Sequence, residues 1–395
     1  MAPQYGLGGV QLSLSEASLR SSIKKQQCQN FEVMSKRFFV GTGAVSLVAL
    51  GLFWIQGCGN GPDHAAGSAT TGFVFRDKLS DYGFFKGNLK DLQPADGVVR
   101  YELSTPLFTD YALKDRFIVV PAGKTIRYTA QGPLDFPDSS ILIKNFAYRD
   151  KQNRKIMIET RLLVKDPADK GWKVMDYLWD STQTDAVKHI TGARLPIELM
   201  DDAGHAISTV YQVPNTNDCK RCHVNNDILT PIGPKARNLN MVLAGHQDNQ
   251  LSEWVSQGKL AGLPALSQVE KLPNWKDSAH YSITERARAY LDVNCAHCHT
   301  QGGDAMNTGL FLEYQQQDPQ HLGVMKSPVS AGGGAGGMNY DVIPGDPAHS
   351  ILAYRMNSTE PGTAMPELAR TVIHKEAVDL IVKWIGQMKK QDRSR

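Results

Sequence analysis

This chain of 395 residues has almost no excess of either charge. Lys and Arg total 43 against 40 Asp and Glu, and five of the basic but only two of the acidic residues precede Cys58. Downstream the two signs balance. That balance removes the basic footprint nucleic-acid binding needs, so no nucleic-acid partner is expected. Between residues 73 and 215 there is also no Gly-rich phosphate loop, no nucleophile elbow and no H-E-x-x-H, which removes three common catalytic frameworks. Cysteine is scarce, six in all. About 41% of residues are apolar, enough for a real core.

The N-terminus reads as a targeting segment. From Phe38 to Ile55 runs an uncharged, mostly apolar stretch, FFVGTGAVSLVALGLFWI, behind Ser35, Lys36 and Arg37. A positive region, an apolar region and small residues at the exit describe an export signal. The stretch ends in Ile55-Gln56-Gly57-Cys58, which resembles the lipobox of bacterial lipoproteins. In that motif the Cys is lipidated and becomes the mature N-terminus. Gln56 departs from the small or aliphatic residue usual there. The alternative is an uncleaved anchor, since the apolar run is just long enough to span a bilayer. Met34 is taken as the natural start, which leaves Cys28 outside the mature protein. The expected organisation is a leader over 1–57 and a Gly/Ala/Ser/Thr-rich flexible tether over 58–72.

Residues 73–215 read as a β-rich domain. Runs such as DRFIVVPAG, SSILIKNFAY, KIMIETRLLVKD, GWKVMDYLW and HAISTVYQV carry β-branched and aromatic residues between turn signals. In ILIKNFAY and IMIETRLLV apolar and polar residues tend to alternate, the period of a half-buried strand. Asp150 to Asn153 between them predicts a hairpin. Six or seven such strands predict a sandwich or barrel. Glu159 and Arg161, two apart, share a strand face. They read as a structural ion pair or solvated face before they read as a polar site. His189 and His205 lack metal-ligand spacing.

Two motifs carry the chemistry. They are Cys219-Lys220-Arg221-Cys222-His223 and Cys295-Ala296-His297-Cys298-His299. CxxCH is the attachment signature of c-type haem: two thiols on one side of a turn each add to a vinyl group, and the next His offers its imidazole to the iron. A zinc ribbon would separate its Cys pairs by roughly 15–20 residues. Cys222 and Cys295 stand much farther apart than that. Neither zinc nor disulfides explain a His after both pairs. Two covalently bound haem c groups are therefore expected, with Cys219, Cys222, Cys295 and Cys298 as thioether sites and His223 and His299 on iron. His297 reads as an exposed spacer.

Around the second motif, Ser282-Ile283-Thr284-Glu285 is a capping box that opens a helix leading into the haem site. Ala377, Ile381, Trp384 and Met388, with Leu380 and Ile385 beside them, form one stripe of a C-terminal helix. Met365 lies well downstream of His299, between Pro361-Gly362 and Pro366. Those residues stop helix formation and suit a loop thioether aimed at iron. Met356 reads as packing; Met306 and Met338 are weaker candidates. For the first haem the possible sixth ligands are Met241, His246 and His280, or none. Lys235 and Arg237 stand near it in sequence as possible propionate partners.

The segments TPLFTDYALKDRF, IETRLL, PNTNDCKRCH, GPKARNLN, AYLDVNCAHCH, GDPAHSILAYRM and AMPELA give the chain a resemblance. It resembles a group of bacterial exported proteins, lipoproteins for the most part, that end in a class I c-type cytochrome domain. The likeness spans residues 100 to 370 or so. It implies a multidomain α+β fold: a sandwich-like β-rich domain over 73–215, a first haem-binding segment over 216–280 and an α-helical cytochrome c-like domain over 281–390. It implies His223 and His299 as proximal ligands and Met365 as the distal ligand of the second haem. The expected function is single-electron transfer with a redox partner protein, at the periplasmic face of a membrane, the outer rather than the inner. The alternatives are a haem enzyme with an open coordination site at the first haem, or a binding module whose β-domain captures a ligand.

Cys58→Ser should release the protein from membranes into the soluble periplasmic fraction on cell fractionation. Unchanged membrane association would instead identify an uncleaved anchor.

Overall fold

The computed structural model describes residues 72–389, apart from Lys170 and Ser330. The export run, Cys58 and the tether through Thr71 lie outside the described residues. The described chain is mixed α/β with a β-rich centre. Its main sheet is an antiparallel meander of six strands in chain order: β1 (Val98–Tyr101), β2 (Leu113–Val119), β3 (Ile141–Arg149), β4 (Lys155–Lys165), β5 (Trp172–Trp179) and β6 (Ala186–His189). A separate hairpin pairs β7 (Ala193–Met200) with β8 (Ala206–Val213). The expected hairpin at Asp150 is present. Its side chain accepts from the backbone N–H of Gln152 at 3.0 Å and of Arg154 at 2.8 Å. Asn153 sits at φ 62°, a conformation Asn tolerates better than most residues.

Alternation gives the sheet two different faces. Phe117, Ile143, Leu162, Val164 and Tyr177 fill one face, under Leu79, Phe84, Phe85 and Leu92 from the segment before β1. Each such side chain contributes about 1.5–3 kcal/mol on full burial. On the other face Ile118, Leu142, Leu163 and Val174 pack against Cys219, Leu239, Leu251 and Trp254. The first CxxCH segment is thus part of the sheet's own core. Farther along this face Phe146 meets Leu199, Tyr211 and Val213 of the hairpin.

Among the described residues six α-helices follow: α1 (Thr216–His223), α2 (Ala236–Leu239), α3 (Gln250–Ser256), α4 (Ile283–Asn294), α5 (Ile351–Met356) and α6 (Lys375–Gln387). The Ser282–Glu285 capping box opens α4 as expected. The helix stops at Asn294, so the second motif occupies the turns after it rather than the helix. The apolar stripe of α6 lies on α4: Ala377, Ile381, Trp384 and Ile385 share a core with Ala287, Tyr290 and Leu291. Among the described residues no helix is long and apolar enough to cross a membrane.

One buried ion group ties α2 to α4. Asp292 receives Arg237 Nη2 at 2.6 Å and Lys235 Nζ at 3.2 Å. Burial alone would raise the Asp292 carboxyl, but the two cations more than offset it and hold it below the ordinary range. Removing one partner of such a group costs about 3–5 kcal/mol. Asp292→Ala should therefore lose that much in urea unfolding at neutral pH. A carboxylate with a depressed folded pKa stabilises above its unfolded pKa and stops doing so as pH falls. The gap between wild type and variant should accordingly narrow on acidification through the carboxylate range.

Candidate haem cavity

The first motif is presented by α1. Asn215 caps it, accepting from the N–H of Asn217 at 2.8 Å and of Asp218 at 3.0 Å, while Asp218 accepts from the Asn215 N–H at 3.1 Å. This N-x-x-D box is the local sequence signal for the helix. Cys219 is buried in the sheet core and Cys222 is half-buried. The second motif forms consecutive turns: Cys298 and His299 both donate their N–H to the Cys295 carbonyl, at 3.1 and 2.9 Å. None of the four motif cysteines is in a disulfide.

Each motif histidine has one ring nitrogen fixed. His223 Nδ1 lies 3.0 Å from the Thr230 carbonyl. A carbonyl only accepts, so Nδ1 carries the proton and Nε2 keeps its lone pair. His299 Nδ1 lies 3.3 Å from Thr308 Oγ1. That hydroxyl donates to the Ala305 carbonyl at 2.7 Å and so accepts from the ring. Burial pushes both imidazoles down to about 4, so both are neutral at pH 7. A neutral imidazole oriented by an outer hydrogen bond is the form in which histidine binds metal.

The two motifs meet. Arg221 of the first reaches Glu367 at 2.9 Å and Asp304 at 3.4 Å. The Asn225 side chain donates to the Gln301 carbonyl, and the Asn226 N–H to the Gly302 carbonyl, each at 3.0 Å. Gly302 has φ 78°, and a Cβ there would stand 2.5 Å from Asn226 Oδ1. The left-handed backbone there favours glycine, and any larger residue would also have to push the Asn226 side chain aside. Cys222, His297 and Cys298 bring one donor atom each within 4.8 Å of one another. A hydrogen bond from Cys298, then His297, hold the Cys222 thiol down at about 4. His297 is therefore no exposed spacer: it lines the cavity, and its Nδ1 is buried without a partner.

Both motifs and Met365 line one cavity of about 740 Å3, a size suited to a large prosthetic group. Four thiols, two neutral imidazoles and a thioether on one wall system are a donor set that fits c-type haem. Met356, buried in the α4–α6 core, also touches the cavity. Met306 and Met338 do not line it. Neither do Met241, His246 and His280, the three first-haem candidates. His246 bonds Glu253 at 2.7 Å and His280 bonds Asp277 at 2.8 Å instead. Lys235 and Arg237 both pair with Asp292, and Lys235 also lines a smaller cavity beside His223. His189 faces the Gly192 carbonyl and His205 pairs with Asp201.

No family model, curated protein or solved structure matches the chain. The site must be read from its own chemistry.

The Met365 loop is held at both ends. The Met365 N–H donates to the Arg355 carbonyl at 3.0 Å. Arg370 donates to the carbonyls of Ser358 at 2.6 Å, Met356 at 3.2 Å, and Arg355 and Pro366 at 3.3 Å. Beyond it, buried Asp110 accepts from the Thr371 N–H at 2.7 Å and hydroxyl at 2.9 Å. Hydrogen bonds from a charged group contribute about 1.5–3 kcal/mol each. Arg370→Gln should speed amide exchange at Met365 by about tenfold or more, the equivalent of one such bond lost. Unchanged protection would show the loop is held by other means.

Proposed function

We propose that the chain is an exported, lipid-anchored dihaem c-type cytochrome that passes single electrons to or from a redox partner protein. In this reading residues 281–390 are a cytochrome c-like domain and the sheet region is a sandwich-like docking and shielding unit. The protein works at the periplasmic face of a membrane, the outer rather than the inner. The observation that carries the reading is that two complete CxxCH motifs, far apart in the chain, line one cavity.

Bound haem iron supplies one-electron exchange between ferric and ferrous states. The chain's residues do the rest. Cys219, Cys222, Cys295 and Cys298 give covalent attachment. His223 and His299 present Nε2 while Thr230 and Thr308 hold Nδ1. Met365, in a loop clamped by Arg370, supplies a soft neutral sulfur that favours the ferrous state and raises the potential relative to two histidines. The sheet and the hairpin exclude water from one side of the cavity.

Protein matured in a host with haem-ligation machinery should carry two haem masses that survive acid–acetone extraction. One haem, or bound zinc, overturns the reading. Met365→Ala should abolish the methionine–iron absorption band and lower the potential of one haem. Met356→Ala should keep the band while costing about 2–5 kcal/mol of stability.

A second reading, a haem enzyme with an open coordination site at the first haem, draws on one observation: Met241, His246 and His280 stand away from the cavity. The spin state of the oxidised first haem separates the two. A low-spin centre supports electron transfer, and a high-spin centre supports the enzyme.

A further inference from the structure

The sheet face that carries the first motif is not apolar throughout. Arg116 on β2 stands directly opposite Lys144 on β3, and Lys144 directly opposite Arg161 on β4. Three cations thus lie side by side on adjacent strands. Like charges in directly opposed positions are destabilising, and burial strengthens the repulsion. Arg116 is only 7% exposed, and its Nη2 has no hydrogen-bond partner. Lys144 rests on the Phe146 ring at 4.9 Å; among the described residues no carboxylate lies within salt-bridge reach of it or of Arg116.

Asp292 and Lys235, which also line the small cavity beside the row, pair with each other, and the other anions nearby do not balance the row. Glu159 is fully buried and committed to Arg161, with Nε at 3.1 Å, and to the Tyr211 hydroxyl. Asp176, opposite Arg161 on β5, is pushed well up by burial and then by the Glu159 charge, so it contributes little negative charge. Burial, then Arg116 and the other neighbouring cations, push Lys144 well down. An arrangement that repels itself persists where a ligand supplies the missing charge. Arg116, Lys144, Arg161 and His223 line a small cavity of about 110 Å3. Lys144, Arg161 and His223 also line the large one, with Cys219 and Cys222.

We propose that Arg116, Lys144 and Arg161 form a carboxylate-binding site beside His223, whose ligand is the pair of propionate groups of the haem held at Cys219 and Cys222. The assignment rests on the electron-transfer reading above. Guanidinium groups match carboxylates geometrically, and a partnered row loses its self-repulsion. Bound propionates would be neutralised by the row, and loss of a cation would favour the ferric state.

The test is a redox titration of haem-loaded wild type, Lys144→Met, Lys144→Gln and Lys144→Arg, each with its haem content verified by mass. The two neutral variants should lower one of the two potentials by about tenfold in equilibrium constant, ~59 mV for one electron. Lys144→Arg should restore it. Unchanged potentials in both neutral variants, or an equal fall in Lys144→Arg, overturn the propionate assignment. A second arm adds sodium succinate and follows thermal unfolding. Stabilisation of wild type but not of Lys144→Met would mean a free dicarboxylate is the ligand, which also overturns the assignment. If wild type carries no haem at the first motif, the electron-transfer reading is what fails. The succinate arm then decides the anion site alone: Lys144-dependent stabilisation upholds it, and its absence overturns it.

Discussion

The approach of α1 to the turns after Cys298 governs the rest of the molecule. Two short segments far apart in the chain must lie close enough for Cys222, His297 and Cys298 to bring donor atoms within 4.8 Å of one another. The Arg221 ion pairs are half-exposed, and such pairs contribute little on their own. The approach depends instead on three firmer features. Cys219 is rooted in the sheet core. Asp292 binds Lys235 and Arg237 across from α4. Glycine at 302 admits the Asn226 side chain where a Cβ would collide with it. With these in place one cavity forms, and both motif histidines line it with Nδ1 engaged by a neighbouring oxygen.

The sheet is more than a scaffold in this arrangement. One face is apolar over Phe117, Ile143, Leu162 and Val164, where the segment before β1 closes it. The other is apolar at its ends and cationic across its middle, where Arg116, Lys144 and Arg161 fall in register. Core packing anchors the first motif, and the charged row gives that motif's surroundings a sign. The Met365 loop is built on a different plan. It has little apolar packing of its own and is held by carbonyls gathered around Arg370 and by the Asp110 anchor beyond it.

Local features are legible in the amino-acid sequence. The β3–β4 hairpin shows in Asp150 to Asn153 and the alternation beside it. The start of α4 shows in Ser282 and Glu285, and the stripe of α6 in its helical spacing. The Glu159–Arg161 pair follows from their shared strand face. What escapes is long-range. Which cations oppose one another depends on strand register, set by pairing of β2, β3 and β4 rather than by neighbours in sequence. Lys235 and Arg237 look free in sequence because Asp292 lies in a different helix. His297 looks exposed because nothing local places it between Cys222 and Cys298. Sequence order also favours Met241, His246 and His280, which the fold carries away from the cavity.

The central claim is that the two CxxCH sites open on one shared cavity and so hold haems that sense each other. Electron paramagnetic resonance of the fully oxidised protein tests this most directly, against a Cys219→Ser/Cys222→Ser chain and a Cys295→Ser/Cys298→Ser chain. A shared cavity predicts a wild-type spectrum broadened or diminished by spin–spin coupling, one that the two single-motif spectra do not add up to. A wild-type spectrum equal to their sum would contradict it.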